Sequence, residues 1–254
     1  LILAVLDLSH HARGKMFSRQ GAAHALSGSV SAGLAALVAL GILTAKPFEP
    51  HAVLGIAPAI MILTIAYLLG VRLVYLDQRV SIRTALDVPG ATLPGVPPIS
   101  LARAIFSFAA CAVAILLAGP YLAAAAGELA ERTALGNSFV GTTLVAFCTS
   151  LPELVSMLAA VKMGAIDLAI GNAFGSNAFN MLLLLPLNIV HGPSLLADIS
   201  PRHAITCIAA VLATQVAIMG QLYQSESRIR IIEPDAWLVI LTVVGALALV
   251  YYLP

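Results

Sequence analysis

Glu153 stands in the middle of a long apolar run, far from the polar residues Asn137 and Lys162, with Thr149, Ser150 and Pro152 just before it. A carboxylate at the midplane of a membrane span costs about 2.5 to 3.5 kcal/mol on insertion scales, so its default role is functional. Pro152 has no N–H and clashes with the carbonyl four residues back, which predicts a broken helix with the Cys148 and Thr149 carbonyl oxygens underused. Those oxygens, the Thr149 and Ser150 hydroxyls and the Glu153 carboxylate converge within about one helical turn. A second apolar run carries Gly171, Asn172, Gly175, Ser176, Asn177 and Asn180 at equivalent depth. The spacing of Ser176 and Asn180 puts both on one helix face. Gly171 and Gly175 share that spacing, which predicts a close approach of the second helix to the first. The donors are oxygens, without clustered His or Cys, and such a set suits hard cations such as Na⁺ or Ca²⁺ and not zinc or copper.

Each residue also has a plainer role to be weighed. Glu153 could be a protonated structural acid, since burial disfavours the charged form. Ser176 and Asn180 could be interhelical hydrogen-bonding glue, and Asn172 and Asn177 could cap broken helix ends instead of touching an ion. Glu128, Glu131 and Arg132 read as a solvated rim, and Asp167 as half of a surface ion pair with Lys162. Cys111, Cys148 and Cys207 lie in apolar spans without paired or metal-ligand spacing, and read as small packing residues. The six histidines fall at connectors or span ends and form no ligand cluster in the sequence. Trp237, Tyr251 and Tyr252 near the ends of the last span read as interfacial anchors.

The run GTTLVAFCTSLPELVSMLAAVKMGAIDLAIGNAFGSNAFN resembles the second alpha repeat of the sodium/calcium exchanger branch of the cation/calcium antiporter superfamily. The TSLPE element and the GN-x-x-GSN-x-x-N element occur together, in order, at the family separation. The resemblance covers about fifty residues closely. It implies an all-α membrane protein, part of a ten-helix fold built from two inverted repeats with broken helices at the ion site. It further implies Thr149, Ser150, Glu153, Ser176 and Asn180 as ligands of the transported Na⁺ and Ca²⁺, with no other cofactor. The chain departs from the family pattern in two places. Some members carry Asp where this chain has Asn180, so one formal negative charge is absent, and Cys148 occupies a position where many have Gly or another small residue.

Composition points the same way. The chain has 254 residues, 60% hydrophobic and 10% charged, with a mean hydropathy of +0.99. A soluble domain carries about 25% charged residues. The pattern predicts about seven transmembrane helices, near residues 22–45, 52–71, 104–127, 135–161, 168–190, 204–224 and 236–253, each close to the roughly twenty residues a crossing needs. The net charge of +1 gives no hint of nucleic acid. No nucleophile and base pair at helical spacing, nucleotide loop or catalytic metal cluster is present in the sequence, which argues against an enzyme.

The positive-inside rule orients the spans. Alternation through seven crossings puts Arg13, Lys15, Arg19, Arg72, Arg79, Arg83, Arg103, Lys162, Arg228 and Arg230 on the cytoplasmic side, leaving only Lys46, Arg132 and Arg202 of the 13 basic residues opposite. The N-terminal end is thus expected inside, the C-terminus outside and the protein in the plasma (inner) membrane.

Three segments are expected: 1–76 as the end of a first repeat, with the tail of one helix and two transmembrane helices, 77–100 as a cytoplasmic linker rich in Pro and Gly, and 101–254 as the second exchanger repeat with five transmembrane helices. The opening run LILAVLDL is too short to span and reads as the tail of a missing helix, so an N-terminal repeat of the same protein is an expected partner, beside the lipid bilayer. A faint echo supports the inverted repeat: Asp7-Leu8-Ser9 followed by His24-Ala25, and Asp198-Ile199-Ser200 followed by His203-Ala204. The expected activity is exchange of Na⁺ for Ca²⁺ by alternating access. A proton-coupled antiporter of the same fold, and a non-transporting module or half-channel that pairs with another chain, are the alternatives.

Overall fold

The computed structural model describes residues 2, 24–48, 51–86, 100–133, 140–222 and 234–252. The helices in chain order are α1 (Ala25–Phe48), α2 (Pro58–Leu86), α3 (Leu101–Thr133), a π-helical turn (Gly141–Val145) that runs into α4 (Ala146–Thr149), α5 (Leu151–Lys162), α6 (Ile166–Leu182), α7 (Leu184–His191), α8 (Leu195–Asp198), α9 (Arg202–Leu222) and α10 (Pro234–Tyr252). Among the described residues no strand forms beyond a single bridge, Val53 to Ile56, closed over Leu54 and Gly55, both at positive φ. The protein is all-α.

Among the described residues five helices are long and apolar enough to cross a membrane, and the broken pair Thr143–Thr149 and Leu151–Lys162 makes a sixth crossing if counted as one. The seventh expected span is the shorter apolar helix Trp237–Tyr252. The first ten residues of the expected 77–100 linker are helical, because α2 continues to Leu86. Its last residues, 87–99, lie outside the described residues, as do Asp7-Leu8-Ser9 of the echo.

The chain divides into two compact units, one of residues 1–74 and 149–254 and the other of residues 75–148. In the first, α1 lies at the centre, against α6, α8 and α9, while α5 packs on α6 and α9 on α10. The two helices that follow His24-Ala25 and His203-Ala204 are therefore packing partners. Lipid tails are as apolar as Leu, so packing and small residues must hold such helices together. Glycines in α1 and α2 show where. A Cβ on Gly70 would lie 2.5 Å from Val30 Cγ1, and one on Gly28 would lie 2.8 Å from Ile218 Cγ1 and 3.2 Å from Phe174 Cζ. Around them Leu34, Val38, Ile42, Ile60, Leu63, Leu196 and Ala204 form one buried cluster, and Met157, Ala160, Ala169, Ile170, Phe174, Ala217 and Ile218 another.

In the second unit α3 packs with the π-helical turn. Its side chains are exposed almost throughout, Ala130 being the buried one. The rim residues pair as a surface ion pair, with Arg132 donating to Glu128 at 2.6 Å. Cys111 and Cys148 are exposed, not packed as the sequence suggested, whereas the half-buried Cys207 packs against the larger core cluster.

Candidate functional site

The helix break falls where the proline predicts one, but its mechanism is more specific. Helix α4 stops at Thr149, and Ser150 takes φ −90° and ψ −2°, the geometry of a turn's third residue. Pro152 then sits in the first turn of α5, where a missing N–H has no intrahelical partner to lose and the fixed φ suits the helix. Pro152 starts a helix here; it does not kink one. The first bond of the new helix runs from the Leu154 N–H to the Ser150 carbonyl at 3.0 Å.

Glu153 follows in that same first turn. The unpaired amides of a helix N-terminus carry about half a positive charge, which favours a carboxylate there. Its Oε2 is shut off from solvent and has no hydrogen-bond partner. A buried acceptor without a donor is costly, and a charged one more so, unless a cation or a proton meets it.

Helices α5 and α6 form an antiparallel hairpin through a tight turn at Met163–Ala165, with Gly164 at φ +74°. Leu154, Met157, Leu158, Ala160 and Val161 pack with Ile166, Ala169, Ile170, Ala173 and Phe174. Asn172 Nδ2 donates to Ser156 Oγ at 2.9 Å across the pair. That bond sets the level. One turn back from Ser156 along α5 is Glu153, and one turn on from Asn172 along α6 is Ser176. A turn further lie Ser150, with Thr149 beside it, and Asn180. Glu153, Ser176 and Asn180 therefore stand at adjoining levels of one hairpin, with Ser150 at the break that opens it and Thr149 just before, all within one compact unit.

Among the described residues no hydrogen bond joins Ser176 to Asn180. Ser176, half-buried, donates to the Ala173 carbonyl at 3.3 Å, and Asn180 and Thr149 are exposed. Among the described residues no hydrogen bond links the Glu153 carboxylate to Ser176 or Asn180. No group of three or more His, Cys, Asp or Glu side chains placed to hold a metal occurs among the described residues either. The donors available are one carboxylate, hydroxyls and amides, the chemistry of hard cations.

Two expectations need correction. Gly171 and Gly175 do not bring α6 onto α5. A Cβ on Gly171 would meet His24 Cε1 at 3.5 Å, and one on Gly175 would meet nothing within 4 Å. The α5 contact uses the neighbouring face of Ala169, Ile170 and Ala173, and Gly171 instead faces His24 at the start of α1. Asp167 likewise has a partner other than Lys162: its Oδ1 lies 3.5 Å from Nε2 of His24, a nearly buried residue. The sequence hid this pair because the two residues lie far apart along the chain. Ser156 was also overlooked, though a hydroxyl one turn beyond Glu153 in an apolar helix was a readable sign.

Taken together, long apolar helices, one of them broken beside an acid with a buried unpartnered oxygen, fit an integral multi-pass membrane protein with a candidate ion site. The family pattern described as "Sodium/calcium exchanger protein" matches residues 103–254. The chain belongs to that family. Relatives include the sodium/calcium exchanger MaX1 of Methanosarcina acetivorans, 36% identical over 99 residues that cover 39% of this chain and 28% of that protein. The putative antiporter CaxA of Alkalimonas amylolytica is 36% identical over 103 residues, 40% of this chain and 32% of its own length. The inner membrane protein YrbG of Escherichia coli is 42% identical over 59 residues, 23% and 18% of the two chains. The matched stretch thus spans less than a third of each relative. No solved structure matches the chain.

Proposed function

We propose that this protein is a secondary antiporter that exchanges Na⁺ for Ca²⁺ by alternating access, with Thr149, Ser150, Glu153, Ser176 and Asn180 among the ligands of the transported ions. The observation that carries the reading is the Glu153 Oε2, buried and unpartnered at the start of a half-helix. Membership of an exchanger family supports it. A single carboxylate can satisfy one Ca²⁺ or favour one Na⁺, and this competition for one anionic site couples the two fluxes. The Ser150, Thr149 and Ser176 hydroxyls and the Asn180 amide oxygen would complete the weaker positions. The exposed flank of Asn180 and Thr149 favours completion by an inverted counterpart of the same element elsewhere in the protein, so that 101–254 is one repeat and 1–76 the end of the other, joined by 77–100. We place it in the plasma (inner) membrane with residue 1 on the cytoplasmic side, following the distribution of its Lys and Arg.

The test is Ca²⁺ uptake into proteoliposomes of the full-length protein, driven by an outward Na⁺ gradient. Glu153→Gln should abolish it. Uptake at the normal rate would refute the assignment. A proton could also meet the buried oxygen, and the neutral Asn180 favours that second reading; flux with Na⁺ absent and a pH gradient present would reveal it.

A further inference from the structure

We infer that Asn172 and Ser156 form a positioning pair that holds Glu153 at the level of Ser176. The inference rests on the reading of Glu153 as the ion-binding acid. Apart from this pair, the described contacts between α5 and α6 are apolar, and apolar contact is non-directional. The tight turn at Met163–Ala165 ties the two helices at one end. Away from that turn a side-chain hydrogen bond adds a directional constraint, because it weakens steeply with distance and angle. Among the described residues, Asn172 to Ser156 is the one side-chain hydrogen bond that joins the two helices.

The bond also reaches the acid by a directed path. Asn172 Nδ2 donates to Ser156 Oγ at 2.9 Å, and the Ser156 hydroxyl donates in turn to the Glu153 carbonyl at 3.0 Å. Ser156 thus uses its oxygen as acceptor toward α6 and its single proton toward the first turn of α5. The main chain of Glu153 is tethered to a point on α6 one turn from Ser176. With its amide donor turned to Ser156, Asn172 acts through the serine. Neither residue needs to touch the ion for its loss to move the carboxylate relative to the hydroxyl and amide one and two turns along α6.

The experiment is a double-mutant cycle in proteoliposomes of the full-length protein, with Glu153→Gln as reference. Ser156→Ala and Asn172→Ala should each raise the Ca²⁺ concentration for half-maximal exchange by about three- to tenfold, the loss expected from one net hydrogen bond. The maximal rate should stay within about twofold. The double variant should be no worse than the poorer single one, since the two groups act as one device. Ser156→Thr, which keeps the hydroxyl, should restore the wild-type value. Effects that multiply in the double variant, or half-saturation unmoved in both singles while Glu153→Gln is inactive, would overturn the positioning role alone. Normal exchange by Glu153→Gln would instead bring down the reading of Glu153, and the positioning role with it.

Discussion

The side-chain oxygen of Asn188 accepts the main-chain N–H of Ala57 at 3.0 Å, joining residues 131 apart in sequence. Asn188 is fully buried, and its amide nitrogen donates to the Gly192 carbonyl. One side chain so fixes the entry to α2 and the exit of α7. Asn188→Leu leaves the Ala57 N–H without its acceptor and the Gly192 carbonyl without its donor. The loss should be about 1–3 kcal/mol per orphaned group, seen as a lower thermal midpoint in detergent. Asn188→Asp keeps an acceptor for Ala57 but sets a carboxylate oxygen against the Gly192 carbonyl at a fully buried position, and should cost at least as much as Asn188→Leu.

Two glycines should respond oppositely to the same change. Gly70 is buried against Val30, whose branched side chain is stiff at χ1, so Gly70→Ala forces the helices apart and should destabilise by about 1–3 kcal/mol. Gly33 on α1 is exposed, with nothing within 4 Å of an added Cβ. There Gly33→Ala should leave stability unchanged or raise it by up to about 1 kcal/mol through helix propensity. The paired thermal midpoints check the contrast.

The α7–α8 corner should lose stability in acid. Ser194 donates to Asp198 Oδ2 at 2.6 Å and His191 Nε2 lies 2.9 Å from the same oxygen. The hydrogen bond from Ser194 first, and then the one from His191, hold the Asp198 carboxyl below the ordinary carboxylate range. A lowered folded-state value means the contribution is present above the ordinary value and is lost as pH falls through the lowered one. Ser194→Ala, which removes the larger cause, should bring the Asp198 midpoint back up toward its ordinary value in an NMR titration. No change in that midpoint would mean the hydroxyl does not hold the carboxylate.

Asn180→Asp should add a carboxylate to the second helix of the hairpin. If residue 180 faces the transported ion, Ca²⁺ should half-saturate exchange at a lower concentration, with a smaller gain for Na⁺, because a divalent ion interacts about twice as strongly with an added charge. Half-saturation values that do not move for either ion would take residue 180 off the ligand list.

The spans and the candidate site stood out in the sequence for different reasons. A crossing helix needs only length and apolarity, both of which the sequence states locally, and Ala25–Pro47 and Arg202–Leu222 fall close to where those rules put them. Glu153 was legible because an acid among apolar residues is anomalous wherever the chain goes. What the sequence withheld was partnership. Whether Gly171 admits α5 or His24, and whether Asp167 meets Lys162 or His24, depends on which face of α6 turns toward which neighbour. Faces follow from the rotation of packed helices, which spacing within one span does not determine. The direction of the Pro152 effect was hidden for a similar reason: a proline mid-helix kinks, but after a turn at Ser150 the same residue becomes a first-turn residue.

Gly28 leaves a notch in α1 into which Ile218 of α9 and Phe174 of α6 both press. A notch filled from two sides works as a detent. For α6 to slide along α1, Phe174 must first be lifted out, and while Ile218 stays seated α9 resists the same displacement. Helices α1, α6 and α9 are therefore interlocked at this one level, and a change at Gly28 would be felt by all three at once.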